Sequence, residues 1–225
     1  PNACNQCHTE ESADWAYSAL LDWGVRFTGQ RNHPARAFHA ADRGDVRATP
    51  VLLETANNQA NSALLRASAI SHLSALVPAR TASYLSLWLS SSDPLIRQAA
   101  VEAAGHLPPE QRLPILTPVL EDPVLGVRMI AAEQLADLPA ANLSTQAERV
   151  AALNKEYRKV QSQHLDMPSV LAQLSLFQLA QGETQAAEAG LLSALQKNPQ
   201  SSVARVNLAD LYRSLGDDSA ARAVL

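Results

Sequence analysis

Both cysteines of the 225-residue chain fall within one pentapeptide, Cys4-Asn5-Gln6-Cys7-His8. Thiolates are nucleophiles and soft ligands, and the imidazole that follows at once binds iron, so covalent or metal chemistry is to be sought here first. Two cysteines three residues apart with a histidine directly after them form the c-type haem attachment signal, as distinct from a bare C-x-x-C redox pair. Three residues is about one helical turn, which turns both sulfurs to one side, where they reach the two vinyl groups of one haem. His8 is then held under the iron as an axial ligand. A thioredoxin-like pair needs a preceding strand and βαβ surroundings, and neither is legible. A zinc site needs four ligands, and the chain has no second C-x-x-C to complete one. A chance match fits poorly with a cysteine-poor chain whose cysteines both fall inside the complete pattern. The expected cofactor is therefore haem c, joined covalently through Cys4 and Cys7.

The elements that must position this site come next. Ser12 to Trp23 reads as a helix, with Trp15, Ala19 and Trp23 on one stripe widened by Ala16 and Leu20, and with Glu10, Glu11 and Asp14 at the end the macrodipole favours. Gly24 is a natural stop. Its two tryptophans would cover either the haem edge or the first helix of the next module, and the second is expected, since indoles are more often core than cofactor lining. Residues 24–34, with Gly29, Asn32 and Pro34, read as a connector. Short helices are then expected over about Ala35 to Asp42, broken by Gly44, and over about Ala48 to Ala56.

A repeat follows. Arg66, Arg97 and Arg128 recur at equal steps, and Leu65/Ile96/Val127, Ala69/Ala100/Ala131, Ile70/Val101/Ala132 and Leu76/Leu107/Leu138 keep the same spacing. Asp93-Pro94 and Asp122-Pro123 each place a capping acid before a proline at the first helical position, and Pro108-Pro109 and Pro139 close the units. This part resembles HEAT-like repeats, whose second helix typically opens with Asp-Pro, a branched apolar residue and an arginine, as in Asp93-Pro94-Leu95-Ile96-Arg97. The unit at Asp122 carries two more residues before its arginine, and the one near Asn61 lacks Asp-Pro. The step from one arginine to the next is also short for the class. An arginine ladder invites reading as an anion-binding stripe, but the expectation is structural pairing with helix ends or carboxylates of the next unit. Ser144 to about Ser162 reads as one longer helix with Val150, Leu153, Tyr157 and Val160 on its apolar face, broken by His164 to Pro168.

A second period then takes over, in which Leu174/Leu208, Gly182/Gly216, Ala187/Ala221 and Leu191/Leu225 all share one longer step. It is the tetratricopeptide period of about 34 residues. Ala187, Ala194 and Pro199 fit the class in the first unit, and Leu208-Ala209 and Tyr212 in the second, although its usual tryptophan is missing. The fold expected is all-α: a haem-attachment segment over 1–32, an α-solenoid of HEAT-like pairs over 33–141, and a bridging helix with tetratricopeptide-like (TPR-like) pairs over 142–225. Asn207, Asp210 and Arg213 could line a partner groove there, against the alternative of a solvated helix face.

Composition agrees with packed helices and excludes some partners. The apolar fraction of 47% rests on alanine and leucine, with aromatics at 4%. A net charge of −4 and a pI near 5.9 give no basic field for nucleic acid or an anionic membrane. No apolar run approaches the roughly 20 residues of a membrane span. The chain opens at Pro1 directly on the motif and stops at Leu225 inside an expected helix, which reads as a piece of a longer, exported parent.

The haem motif, the Trp-rich helix and the two repeat types together resemble the C-terminal part of bacterial multihaem c-type cytochromes with repeat tails. In that family a segment similar to Pro1-Asn2-Ala3-Cys4-Asn5-Gln6-Cys7-His8, followed by Asp14-Trp15-Ala16 and Trp23-Gly24, holds the last haem of a cluster. The resemblance implies thioether roles for Cys4 and Cys7, the proximal ligand role for His8, further haems upstream and a periplasmic or otherwise exported location. It also implies that the sixth ligand lies upstream: the chain's other histidines are poor candidates for it, His33 in the connector being the one a loop could fold back over the haem, while His39, His72, His106 and His164 are expected at helix faces and ends with ordinary partners. Two functions follow. One is electron transfer through a haem mounted on a scaffold that docks a protein partner. The other is a protein-protein interaction scaffold with no redox role of its own. No nucleophile–base pair or clustered carboxylate set supports catalysis by this piece, and a reductase activity of the parent stays open.

Overall fold

The structure is a computed structural model that describes residues 3–25 and 34–225. Most of the connector, and with it Gly29, Asn32 and His33, lies outside the described residues, as do Pro1 and Asn2. All regular structure among the described residues is helical.

At the N-terminal end α1 (Cys4–Cys7) is a single turn, and α2 (Ala13–Asp22) follows a short loop. The Oγ of Ser12 caps α2 by accepting from the Trp15 N–H at 3.0 Å, and Gly24 closes it at φ +80°, a left-handed conformation that glycine adopts without a Cβ clash.

The first array begins with α3 (Pro34–Asp42), which packs on both α4 (Thr49–Asn57) and α5 (Ala63–Leu76). Where the first unit lacks Asp-Pro, Ser62 supplies the cap, its Oγ accepting from Leu65 N–H. After the short α6 (Pro78–Thr81) the chain repeats the pattern with α7 (Leu85–Leu89) and α8 (Pro94–Ala104), then with α9 (Pro109–Leu116) and α10 (Leu125–Leu135). Successive second helices stack, α5 on α8 and α8 on α10, and the spaced alanines make this close approach feasible: Ala69, Ala100 and Ala131 are all fully buried. Ile70, Ile96 and Val127 fill the seam beside them.

Asp93 caps α8 as expected, accepting from the Leu95 N–H at 2.9 Å. The expectation for Asp122-Pro123 needs correction, because α10 begins at Leu125 and Val124 stands at its cap. Asp122 is buried and its two oxygens are held by Arg97, so it only closes a turn by accepting from the Val124 N–H. The two extra residues in that unit are the length of this turn.

The long helix anticipated over 144–162 is divided. A short α11 (Ala140–Leu143) ends at Ser144, whose φ of +45° turns the chain into a 3₁₀ turn, and α12 (Ala147–Gln161) carries the regular part. Its Val150, Leu153 and Tyr157 are buried, and it packs on α10 behind and on α13 (Pro168–Ala180) ahead. From there α13 pairs with α14 (Thr184–Lys197), and α15 (Ser202–Ser214) with α16 (Asp218–Val224). Gly182 and Gly216, at φ +79° and +80°, end the first helix of each pair in the same way. Ala187, Ala194 and Ala221 lie buried between the paired helices.

Two apolar cores run through this stack, and α13 belongs to both: Phe177 joins the core that begins at Ala37, while Leu171 and Ala172 join the core that reaches Leu211. The described chain from Pro34 onward is thus an α-solenoid in which each helix pair buries its apolar face against the next.

Candidate functional site

The two thiols, free and one helical turn apart, sit on α1, with Cys4 half-buried and Cys7 exposed. His8 follows as the residue that ends the turn, its N–H donating to the Cys4 carbonyl at 2.9 Å. The imidazole of His8 lies against the indole of Trp15, ring centroids 4.8 Å apart and tilted by 45°. An apolar cleft of about 340 Å³ opens between α1 and α2, with Cys4, Cys7 and His8 on one wall. The other wall is α2, which contributes Trp15 and Leu20, with Trp23 at its C-terminal end, while Ala16 and Ala19 keep the floor free of bulk.

Trp15 and Trp23 therefore line this cleft, and the expected burial against the next module is not found: Trp23 is 76% exposed and Trp15 37%. The stripe forms as expected, but its partner is the α1 turn. These indoles, two thiols and an imidazole together leave an apolar surface uncovered at this end of the chain. A c-type haem fits this donor set: the sulfurs suit thioether bonds, the imidazole suits iron, and the wall suits a flat apolar ring. Among the described residues no group of three or more His, Cys, Asp or Glu side chains converges as a metal site of its own.

Among the described residues the other histidines lie on helix faces, at helix ends and in turns. His72 stacks on Phe38 at 4.9 Å and its Nδ1 approaches Asp42 Oδ1 at 3.3 Å. His39 lies on α3, His106 just past α8, and His164 in the turn after α12.

The arginine ladder is structural. Arg66 Nε donates to the Ala56 carbonyl at 2.9 Å, capping the end of α4. Arg97 grips Asp122 with two bonds of 2.7 and 2.9 Å and donates also to the carbonyls of Ser91 and Ser92. Arg128 grips Glu156 on α12 with bonds of 2.9 and 2.6 Å. A fourth rung was missed: Arg158 of α12 reaches Glu183 at the start of α14 and lies over the Phe177 ring at 5.2 Å. It falls one position short of the step that joins the other rungs, and that slip hid it.

The second array has its own cleft, about 480 Å³, between α13 and α15 and the loop before α15. Leu176 and Val203 stand exposed along it, with Gln173, Asn198 and Ser201 as polar neighbours. Asn207, Asp210 and Arg213 lie further along α15 and are absent from this lining. Asp210 and Arg213 pair with each other along the helix, and the Asn207 Nδ2 is buried without a partner, so the geometry fits the solvated-face alternative for the two charged residues.

Residues 49–136 match HEAT repeats. Residues 178–225 match the tetratricopeptide repeat. These are the repeat classes of protein-protein interaction scaffolds, and each matched stretch falls within one of the two arrays. Comparison with curated proteins and with solved structures returns no match. No helix among the described residues is long and apolar enough to cross a membrane.

Proposed function

We propose that the chain docks a protein partner on its repeat surface, with the α13–α15 cleft as the contact. The observation that carries this is the exposed apolar pair Leu176 and Val203, 43% and 61% accessible, lining a cleft between repeat helices whose own cores are complete without them. Grouped along one cleft, such side chains present apolar area that a partner would remove from water. The test is capture of partners from the source cell's extract by the intact chain and by a Leu176→Asp, Val203→Asp chain of equal melting temperature. A partner lost with the double substitution supports the cleft, and one retained in full by the variant refutes it.

A second reading is favoured by the cleft at α1 and α2. We infer that Cys4 and Cys7 would hold haem c through thioethers and His8 would ligate its iron, so that the chain would be the docking part of an exported electron-transfer protein. The haem would supply one-electron transfer. Cys4 and Cys7 would bind it, His8 would orient it, and Trp15, Leu20 and Trp23 would keep water from it. Covalent attachment takes place outside the bacterial cytoplasm, which is why a periplasmic location goes with this reading. Protein matured in an exporting, haem-attaching host should show a c-type spectrum that survives acid extraction. The same spectrum in a Cys4→Ala, Cys7→Ala chain would overturn it.

A further inference from the structure

Asn5 occupies the first variable position of the pentapeptide, where attachment chemistry makes no demand on the side chain. Its surroundings do. The carboxamide Nδ2 donates to the Glu11 carbonyl at 2.7 Å and lies 3.4 Å from the carbonyl of His8 and 3.5 Å from that of Ser12. These carbonyls belong to the loop that joins α1 to α2. The same loop is held by the Glu11 N–H, which donates to the His8 carbonyl at 3.2 Å, and it ends at Ser12, whose hydroxyl fixes the Trp15 N–H.

The consequence is geometric. The backbone of His8 is tied to α1 through the Cys4 carbonyl, whereas its imidazole leans on Trp15, which belongs to α2. Where Trp15 stands relative to His8 is therefore set by the path of residues 8–12, and Asn5 reaches across that path from α1. A primary amide is suited to this task because it presents two N–H donors on a short stem, which an aspartate of the same size lacks.

We infer that Asn5 is a positioning residue: its carboxamide clasps the loop between α1 and α2, delivers Trp15 against His8, and so presets the imidazole in the cleft. The purpose of that presetting rests on the reading of His8 as the iron ligand. A ligand whose ring is already packed loses less freedom when it binds, and a site whose supporting contacts are removed becomes loose although its ligand is intact.

The clasp can be read without the cofactor. In the haem-free chain the ring protons of His8 should carry an upfield shift from the Trp15 ring current, and Trp15→Ala, which removes the ring itself, defines its complete loss. Asn5→Asp and Asn5→Ala are expected to lose most of that shift while the helical signal of the solenoid stays at the wild-type level. In haem-loaded protein the same Asn5 substitutions should raise several-fold the share of attached haem without imidazole on its iron, read by resonance Raman. His8 shifts that coincide in wild type and both Asn5 variants overturn the clasp. Wild-type chain that shows the ring shift but takes up no haem in an attaching host overturns the cofactor reading while upholding the clasp, so the two failures are told apart.

Discussion

Buried charge decides most at the scale of single residues. The side chains of Arg97 and Asp122 are 11% and 5% exposed, which makes theirs the most secluded ion pair of the chain among the described residues. Burial alone would lift the Asp122 carboxyl, but the bonds from Arg97 and from the Val124 N–H outweigh it and hold the group below the usual carboxylate range. A carboxyl lowered by folding adds stability above its ordinary value of 3.8, and that stability fades as acid carries it through the folded value. Arg97→Ala strands a buried carboxylate and should cost about 3–5 kcal/mol near neutral pH. Denaturant unfolding checks it, and a loss below about 1 kcal/mol, the worth of an exposed pair, would contradict the buried role. Glu133 is the opposite case. Burial raises its pKa more than the bonds from Tyr157 and Gln173 lower it, and the charge of Glu102 adds to the rise. Its stabilising form is the protonated one, present below its ordinary 4.5 and lost as pH rises through the folded value. Glu133→Gln keeps an acceptor for Tyr157 and sheds the half-buried charge, so its melting temperature should exceed that of wild type at pH 7 and converge with it near pH 4. A variant less stable than wild type at pH 7 would show that the carboxylate is needed there.

At the scale of elements, what could be read in advance and what could not divide along one physical line. Helix starts, the two repeat steps and the buried alanines were legible, because local propensity and periodicity follow from neighbours in sequence. The start of α10 was not: Asp122 has the residue type and the proline of a cap, and only its burial against the distant Arg97 of α8 takes it away from that task. The same holds for the site. Cys4, Cys7 and His8 announce themselves by spacing, whereas the turning of Trp15 and Trp23 towards them depends on the loop at 8–12, and the role of Asn5 is invisible in a pattern that allows any residue there. Elements also predict where damage stays local. Solenoid units contact only neighbours, so Leu208→Ala, in the fully buried seam of α15, should cost about 2–5 kcal/mol. Hydrogen exchange should quicken in α13 to α16 and stay at the wild-type rate in α5 and α8. Faster exchange spread evenly to α5 would mean one cooperative core instead of two.

For the whole molecule, neither apolar core contains a described residue of the N-terminal segment: among the described residues the first begins at Ala37, the second at Leu171. The solenoid therefore does not depend on the chemistry of the α1–α2 cleft, and Cys4→Ala with Cys7→Ala should leave its melting temperature unchanged even if it abolishes haem attachment. The architecture also fixes size. A compact globule of 225 residues would have a radius of gyration of about 17 Å. In a stack where α5, α8, α10, α12, α13 and α15 succeed one another, each added pair lengthens the body instead of thickening it. Small-angle scattering of the monomer should give a radius of gyration well above that of the globule, in wild type and in the cysteine variant alike. A value as small as the globule's would mean that the second array folds back on the first, which would close the α13–α15 cleft against the chain itself and remove the surface proposed for the partner.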